Sequence, residues 1–420
     1  MIVGGAGAFV LILILLFTGI LPGLKKQELQ KYELSVWGLK RDEQAMKEVV
    51  ARYVQLNKNV TIKYAGIADA DYEETLVDNL AAGSGPDIFF FKNDWFQKHK
   101  NKIAPADVKT IAPATMQELF PEVVSYDFIY QNQVYGLPLS VDTLAVVYNR
   151  SIFDVKQIAV PPVTWDGVRA VVPRLRELTA GKIAKAAIAI GTTDETILNA
   201  RDILTAAMMQ VGGFTYDKVS NRVSFANLSS QKGLGLYTDF ADPKSPNYAW
   251  DPALGGSVDA FANGRVAMVF LYSSQLAAVR AKNPVLNYAT LPMPQISQDR
   301  PVNITSYWAL TVSNRTKNSA PAWDFIKFAA TDASAAASYA NSSGLPPALR
   351  SLIAGYGQSG SLKAFVSQTL TAKSWPVPDP EKVSGIFNNM IKSSLADRSE
   401  PAADKALRAA EEAVNQLIRR

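Results

Sequence analysis

Asp142 is the only charged residue between Tyr135 and Arg150, inside the run Leu137-Pro-Leu-Ser-Val-Asp-Thr-Leu-Ala-Val-Val-Tyr148. Pro138 fixes its own φ and pushes Leu137 into extended geometry, while Gly136 frees the approach, so the chain is expected to leave one lobe and enter another here. A cleft between lobes follows, with Asp142 facing it as an acceptor. Two more groups fall where ligands gather in open α/β sheets, outside the carboxyl ends of strands: Trp37, closing a first strand, and the turn Lys92-Asn93-Asp94-Trp95, closing a third.

Composition narrows the chemistry available to such a cleft. The 420 residues contain no cysteine and one histidine, which excludes disulfides, thiolate metal sites, a cysteine nucleophile and a histidine-rich metal centre. No metal site or cofactor is expected. A Ser-His-Asp set would have to use His99, which sits in the polar run Phe96-Gln-Lys-His-Lys-Asn101 and reads as a surface residue. The net charge is +5, with Lys25, Lys26, Arg419 and Arg420 at the chain ends. Without a basic stripe interleaved with aromatics, nucleic acid is not an expected partner.

Residues 2–24 carry no charge, and as a helix they would span about 34 Å, enough for a bilayer core. They read as one N-terminal transmembrane helix in an anchor over 1–26, followed by a polar linker over 27–33. Lys25 and Lys26 follow the segment, and by the positive-inside rule they would keep the remaining chain in the cytoplasm. A binding lobe has use for an anchor on the other face, so the expected location is the cell membrane with the domain extracytoplasmic.

The remaining length exceeds what one core usually serves, and its periodicity alternates strand and helix. Strands are expected at 34–37, 60–64, 87–91, 187–190, 266–270, 287–291 and 307–312. Helices are expected at 44–56, 71–82, 164–178, 196–211, 229–241, 257–263, 320–330, 383–396 and 401–418. Strand, helix, strand implies parallel pairing, and each lobe is expected to rest on its own parallel sheet. Asp69 and Asp71 read as caps of the helix that follows them, and Asp194-Glu195 as caps of the helix from Thr196. Prolines at 292, 294, 346 and 347 mark two further crossings. The fold class is therefore α/β, two-lobed, with three hinge crossings. A first lobe is expected over 34–141 and 292–343, and a second over 142–291 and 344–420.

The ordered segments Leu34-Ser-Val-Trp-Gly38, Gly83-Ser-Gly-Pro-Asp-Ile-Phe89, Tyr135-Gly-Leu-Pro138, Asp142-Thr-Leu-Ala-Val-Val-Tyr-Asn149, Pro162-Val-Thr-Trp165, Phe261-Ala-Asn-Gly-Arg-Val-Ala-Met268 and Ala322-Trp-Asp-Phe-Ile-Lys-Phe328 together resemble the family 1 extracellular solute-binding proteins of ABC importers, the group that contains the maltodextrin-binding protein. The resemblance runs from about residue 34 to 418. It implies a periplasmic-binding-protein-like fold, closure on a carbohydrate, most simply an oligosaccharide, and delivery to the permease subunits of an ABC importer. It also implies a monomeric binding protein and not an enzyme.

By resemblance, Asp142 and Asp94 match acidic residues that bond sugar hydroxyls in the maltodextrin-binding member, Phe91 stands at a stacking tryptophan, and Trp37 matches a tryptophan at the end of the first strand. A sugar needs flat faces for its C–H surfaces and fixed acceptors for its hydroxyls. Trp37, Trp95, Trp250, Tyr272, Tyr307 and Trp308 would supply faces, with Asn93, Asp94 and Asp142 as acceptors. After Val266-Ala-Met268, where relatives often carry a stacking tryptophan, this chain has Phe270 and Tyr272. Two alternatives stay open: the same fold with a non-sugar polar solute, and an anchored glycoside hydrolase working through two carboxylates.

Overall fold

The computed structural model describes residues 30–356 and 360–419. The anchor reading on 1–26, and the linker up to residue 29, lie outside the described residues. Among the described residues no helix is long and apolar enough to cross a membrane.

Apolar side chains collect into two separate cores. The first gathers Leu34, Val36, Phe89 and Phe90 from its strands with Met46, Trp323 and Phe325 from the helices above them. The second gathers Val146, Ile188, Val266 and Phe270 with Trp165, Leu204 and Phe387. The chain is thus two-lobed α/β. It passes from the first core to the second between Val141 and Leu144, and returns between Ile304 and Tyr307. It leaves again after Leu349 to bring Phe365 into the second core, though Ala372 still touches the first.

The second crossing therefore falls later than the boundary expected at 291/292. Met293 and Ile304 pack in the second core, because the proline-rich stretch is an extended loop pinned there by side chains. Gln368 Oε1 accepts from the Met293 N–H at 2.7 Å, and the Gln210 amide donates to the Pro294 and Val302 carbonyls. Prolines marked a break in periodicity correctly and the direction of the chain incorrectly. The three crossing segments are stitched together by bridges Ser140 to Pro347 and Thr143 to Thr305.

Each lobe's sheet is mixed, which corrects the expectation of parallel sheets. In the first, Tyr32–Leu39 pairs in parallel with Val60–Ile67 and Ile88–Lys92, but Trp308–Ser313 runs antiparallel to Ile88–Lys92. In the second, Val266–Leu271 is parallel to Lys182–Ile188 and antiparallel to Ala145–Asn149. The reason is topological. Trp308–Ser313 and Ala145–Asn149 enter their sheets directly from the hinge, without the crossover helix that a parallel neighbour requires.

Among the helices that bring second-lobe residues to the cleft are Ala200–Gln210 and Pro380–Ala396. Ala200–Gln210 starts at Asn199, whose φ of 66° places it in the left-handed region, and packs against Leu228–Asp239. Gly233 permits that contact, since a Cβ there would lie 2.8 Å from Met208 Cα. The long C-terminal helices Pro380–Ala396 and Glu400–Ile418 pack on each other, and the first is capped by the Asp379 side chain.

The expected caps of the Tyr72–Ala82 helix do not form. Asp71 makes no side-chain cap bond, and Asp69 instead pairs with Arg41. Asp194 accepts from the Arg201 N–H at 3.4 Å, so it serves the helix starting at Ala200 and not one starting at Thr196. His99 is buried, not a surface residue: its Nε2 lies 2.8 Å from Glu73 Oε1 and its ring meets Trp95 edge-on. That bond, set against partial burial, holds the Glu73 carboxyl down at about 2.

Candidate functional site: an interlobe cleft

A cleft of about 660 Å³ lies between the lobes and over the hinge. Its floor is the crossing strands, through Ser140, Asp142 and Ser306. Arg41, Lys92 and Trp308 line it from the first lobe, and Asp194, Arg201, Asp202 and Tyr272 from the second.

Asp142 is buried at 3 % exposure, and both of its carboxylate oxygens are engaged. They accept the N–H groups of Ser273 and Ser274, each at 2.9 Å. Burial raises its carboxyl above the usual range, and the two backbone donors work against that rise. The lone acid of the hinge thus ties the turn that follows the Val266–Leu271 strand to the floor, and it borders the cleft.

From there a chain of polar contacts builds the wall. Tyr272 donates its hydroxyl to Asp202 at 2.7 Å, and Asn199 and Gln275 exchange side-chain bonds at 2.9 and 3.1 Å. Arg201 Nε reaches Asp202 at 3.1 Å, and Arg201 Nη2 reaches Asp94 of the first lobe at 3.4 Å. Lys92 lies 3.3 Å from the same Asp94 oxygen, while Asp94 Oδ1 is buried with no partner among the described residues. Burial acts to lower the Arg201 pKa, but the carboxylates of Asp202 and Asp94 hold it above the ordinary value.

The sequence-expected residues do not all reach the cleft. Asp142, Tyr272, Tyr307 and Trp308 line the cleft, and Asp94 reaches it through Arg201 and Lys92. Trp95 and Phe91 lie behind it: Trp95 packs on Trp308 with ring centroids 5.0 Å apart, and Phe91 packs behind Trp95 at 5.9 Å, deep in the first core. Trp37 is half-buried and outside the lining, with its carbonyl accepting from Tyr72. Trp250 is wholly buried in the second core.

Asn93 turns to another contact between the lobes. Its amide donates to Asp127 at 3.2 Å, and Tyr307 donates its hydroxyl to the same carboxylate at 2.7 Å. Ser374, from the second-lobe side, donates to the other oxygen of Asp127. Burial pushes the Asp127 carboxyl up to about 7, against the pull of these donors. Beside this network, Tyr126, Phe214, Tyr216 and Trp375 line a largely apolar cavity of about 390 Å³.

Arg41, Asp127, Arg201 and Asp202 were not singled out in the sequence, and Lys92 entered only as part of the 92–95 turn. One signal existed for Arg201: a guanidinium in the first turn of a helix opposes the helix dipole, so its place there needs a compensating carboxylate.

A family model described as bacterial extracellular solute-binding protein matches residues 37–336. The chain belongs to that family. Its members are binding proteins, and the cleft is read accordingly. The maltotriose-binding protein of Pyrococcus abyssi (strain GE5 / Orsay) is 20% identical over 297 residues, which are 69% of this chain and 60% of that protein. Among solved structures, the cyclic alpha-maltosyl-1,6-maltose binding protein of Arthrobacter globiformis superposes with a TM-score of 0.74 at 20% identity, covering 92% of this chain and 99% of that one. An ABC substrate-binding protein of Listeria monocytogenes in complex with cycloalternan superposes with a TM-score of 0.72 at 19% identity, again covering 92% and 99%. At these identities the superpositions establish the fold.

Proposed function

We propose that this solute-binding protein captures an uncharged carbohydrate, an oligosaccharide of a few units, in the interlobe cleft and presents it to the permease of an ABC importer. The observation that carries the reading is the cleft itself: a hinge-floored space of about 660 Å³ whose walls come from both lobes and combine Trp308, Tyr272 and Tyr307 with fixed acceptors. That volume is within the range of about 300 to 1,000 Å³ used for small ligands. Hydrogen bonds to charged groups contribute about 1.5 to 3 kcal/mol each and aromatic contacts about 0.5 to 1.5, so a few of each reach the −8.2 kcal/mol of a micromolar complex before ordering costs. The names of the relatives, which bind maltotriose and cyclic glucans, support a glucose-based cargo. The apolar 2–24 segment supports anchorage at the outer face of a cell membrane, with the binding unit acting as a monomer.

A second reading, the same fold with a non-sugar polar solute, is favoured by one feature. Ionisable side chains outnumber aromatic ones on the lining, and Trp37, Trp95 and Trp250 offer no platform there. A thermal-shift screen of linear and cyclic maltooligosaccharides against polyols, polyamines and amino acids separates the two, because a ligand that binds only the folded form raises its melting temperature. A shift with maltooligosaccharides supports the carbohydrate reading. Shifts confined to another class would replace it with the second.

A further inference from the structure

We propose that Arg201 is the positioning residue for closure: its guanidinium, fixed inside the second lobe, forms a charge bridge to Asp94 of the first lobe and raises the closed fraction, a minority of the solute-free protein, before any solute arrives. For its ligand, though not for its lobe movement, the proposal rests on the carbohydrate reading given above.

Arg201 is built as a fixed fork. Its side chain is 13 % exposed, and each end of the guanidinium has its own partner: Nε on Asp202 at 3.1 Å, Nη1 on the Pro380 carbonyl at 3.2 Å, and Nη2 on Asp94 at 3.4 Å. The first two belong to the second lobe and lock the group before closure, so the bond to Asp94 costs little further side-chain entropy. Asp202 is held in turn by the Tyr272 hydroxyl, and the Arg201 backbone N–H is held by Asp194.

The first-lobe partner is prepared as well. Asp94 sits in the turn after the Ile88–Lys92 strand at 9 % side-chain exposure, and one of its oxygens takes both Lys92 and Arg201. When the lobes part, Asp94 keeps Lys92, and Arg201 keeps Asp202. Only the bond between the lobes is exchanged for water. Because the pair forms in one lobe arrangement and not in the other, it biases the equilibrium between them, and a solute that needs the closed form binds more tightly by the same factor.

The chain contains no cysteine, so one label in each lobe can be introduced cleanly as Leu56→Cys and Val285→Cys, both exposed positions. The distance distribution between spin labels is then measured in the ligand-free protein for wild type, Asp94→Asn, Arg201→Gln, the double variant and Arg201→Lys. Asp94→Asn and Arg201→Gln should each reduce the closed population by about tenfold, within the usual range of coupling between sites, and the double variant should add nothing further. Arg201→Lys, which keeps the charge but not the fork, should fall between. If Asp94→Asn leaves the distribution unchanged, Arg201 acts within the second lobe alone and the proposal is overturned; an additive double variant overturns it too.

Maltotriose affinity supplies the second arm. It should fall in both single variants by the factor lost from the closed population, whereas an unchanged affinity alongside an opened distribution contradicts the link to binding. If wild type binds no maltooligosaccharide, the carbohydrate reading fails while the label distances still decide the bridge.

Discussion

Two of the contacts between the lobes differ in electrostatic character. At the cleft, Asp94 faces the guanidinium of Arg201 with Asp202 behind it, so carboxylates and cations alternate across the gap. At the other contact, the hydrogen bonds that Asp127 accepts come from the neutral groups of Tyr307, Asn93 and Ser374, and burial pushes its carboxyl up to about 7. Tyr307 joins the two, bordering the cleft and donating its hydroxyl to Asp127. One hinge thus carries both a contact between carboxylates and cations and a buried carboxyl that is met by hydroxyl and amide donors. The first is expected to weaken with salt and the second to titrate.

The comparison can be broken first at the hinge. Asp142→Ala removes the acceptor of the Ser273 and Ser274 N–H groups, and leaving buried donors unmet should cost about 3 kcal/mol in urea unfolding. Solute affinity should fall with it, without loss of the fold. A denaturation midpoint equal to wild type would show that water replaces the carboxylate freely.

Gly233→Ala tests whether the two contacts are separable. The new Cβ would press on the Met208 backbone and shift the helix that carries Arg201, for an expected cost of about 2 kcal/mol. The cleft should lose affinity while the pH response of Asp127 persists. Loss of both would mean that the contacts move as one body.

Asp127 sets the sign of the pH response. Folding raises its carboxyl from 3.8 to about 7, so the folded chain binds more protons than the unfolded one in that window. Its contribution to stability is fully present below about pH 4 and is lost as pH rises to about 7. Asp127→Asn, which cannot titrate, should flatten the fall in melting temperature across that window. An unaltered slope would assign the pH dependence to other groups. Ser374→Ala should have the smallest effect, about 1 kcal/mol, since Tyr307 and Asn93 continue to satisfy the other oxygen.

Many elements of both lobes were legible because strands such as Phe89-Phe-Phe91 and Val266–Leu271 are continuous apolar runs, and helices such as Glu43–Leu56 bury Met46, Val49 and Tyr53 on one face, whereas helices such as Glu122–Phe128 and Ala333–Ser343 were not expected. The hinge was legible in the run from 134 to 150, which leaves the first core at Val141 and enters the second at Leu144. It was misplaced at Pro292, where extended loop and crossing strand have the same local pattern. Asp142 was visible as a lone acid among apolar neighbours. Arg201 was not, because its partners lie at positions 94, 202 and 380, and only the fold brings them together. Trp250 shows the converse: an aromatic beside a loop in sequence is buried whole in the core.

The most direct test of the account is isothermal titration of the purified protein with maltotriose, paired with small-angle scattering of the same samples. A solute that bridges both walls should bind one to one with affinity on the order of micromolar and reduce the radius of gyration on saturation. Saturable binding with an unchanged radius of gyration, or no heat from any maltooligosaccharide, would contradict the claim that these lobes close on a carbohydrate.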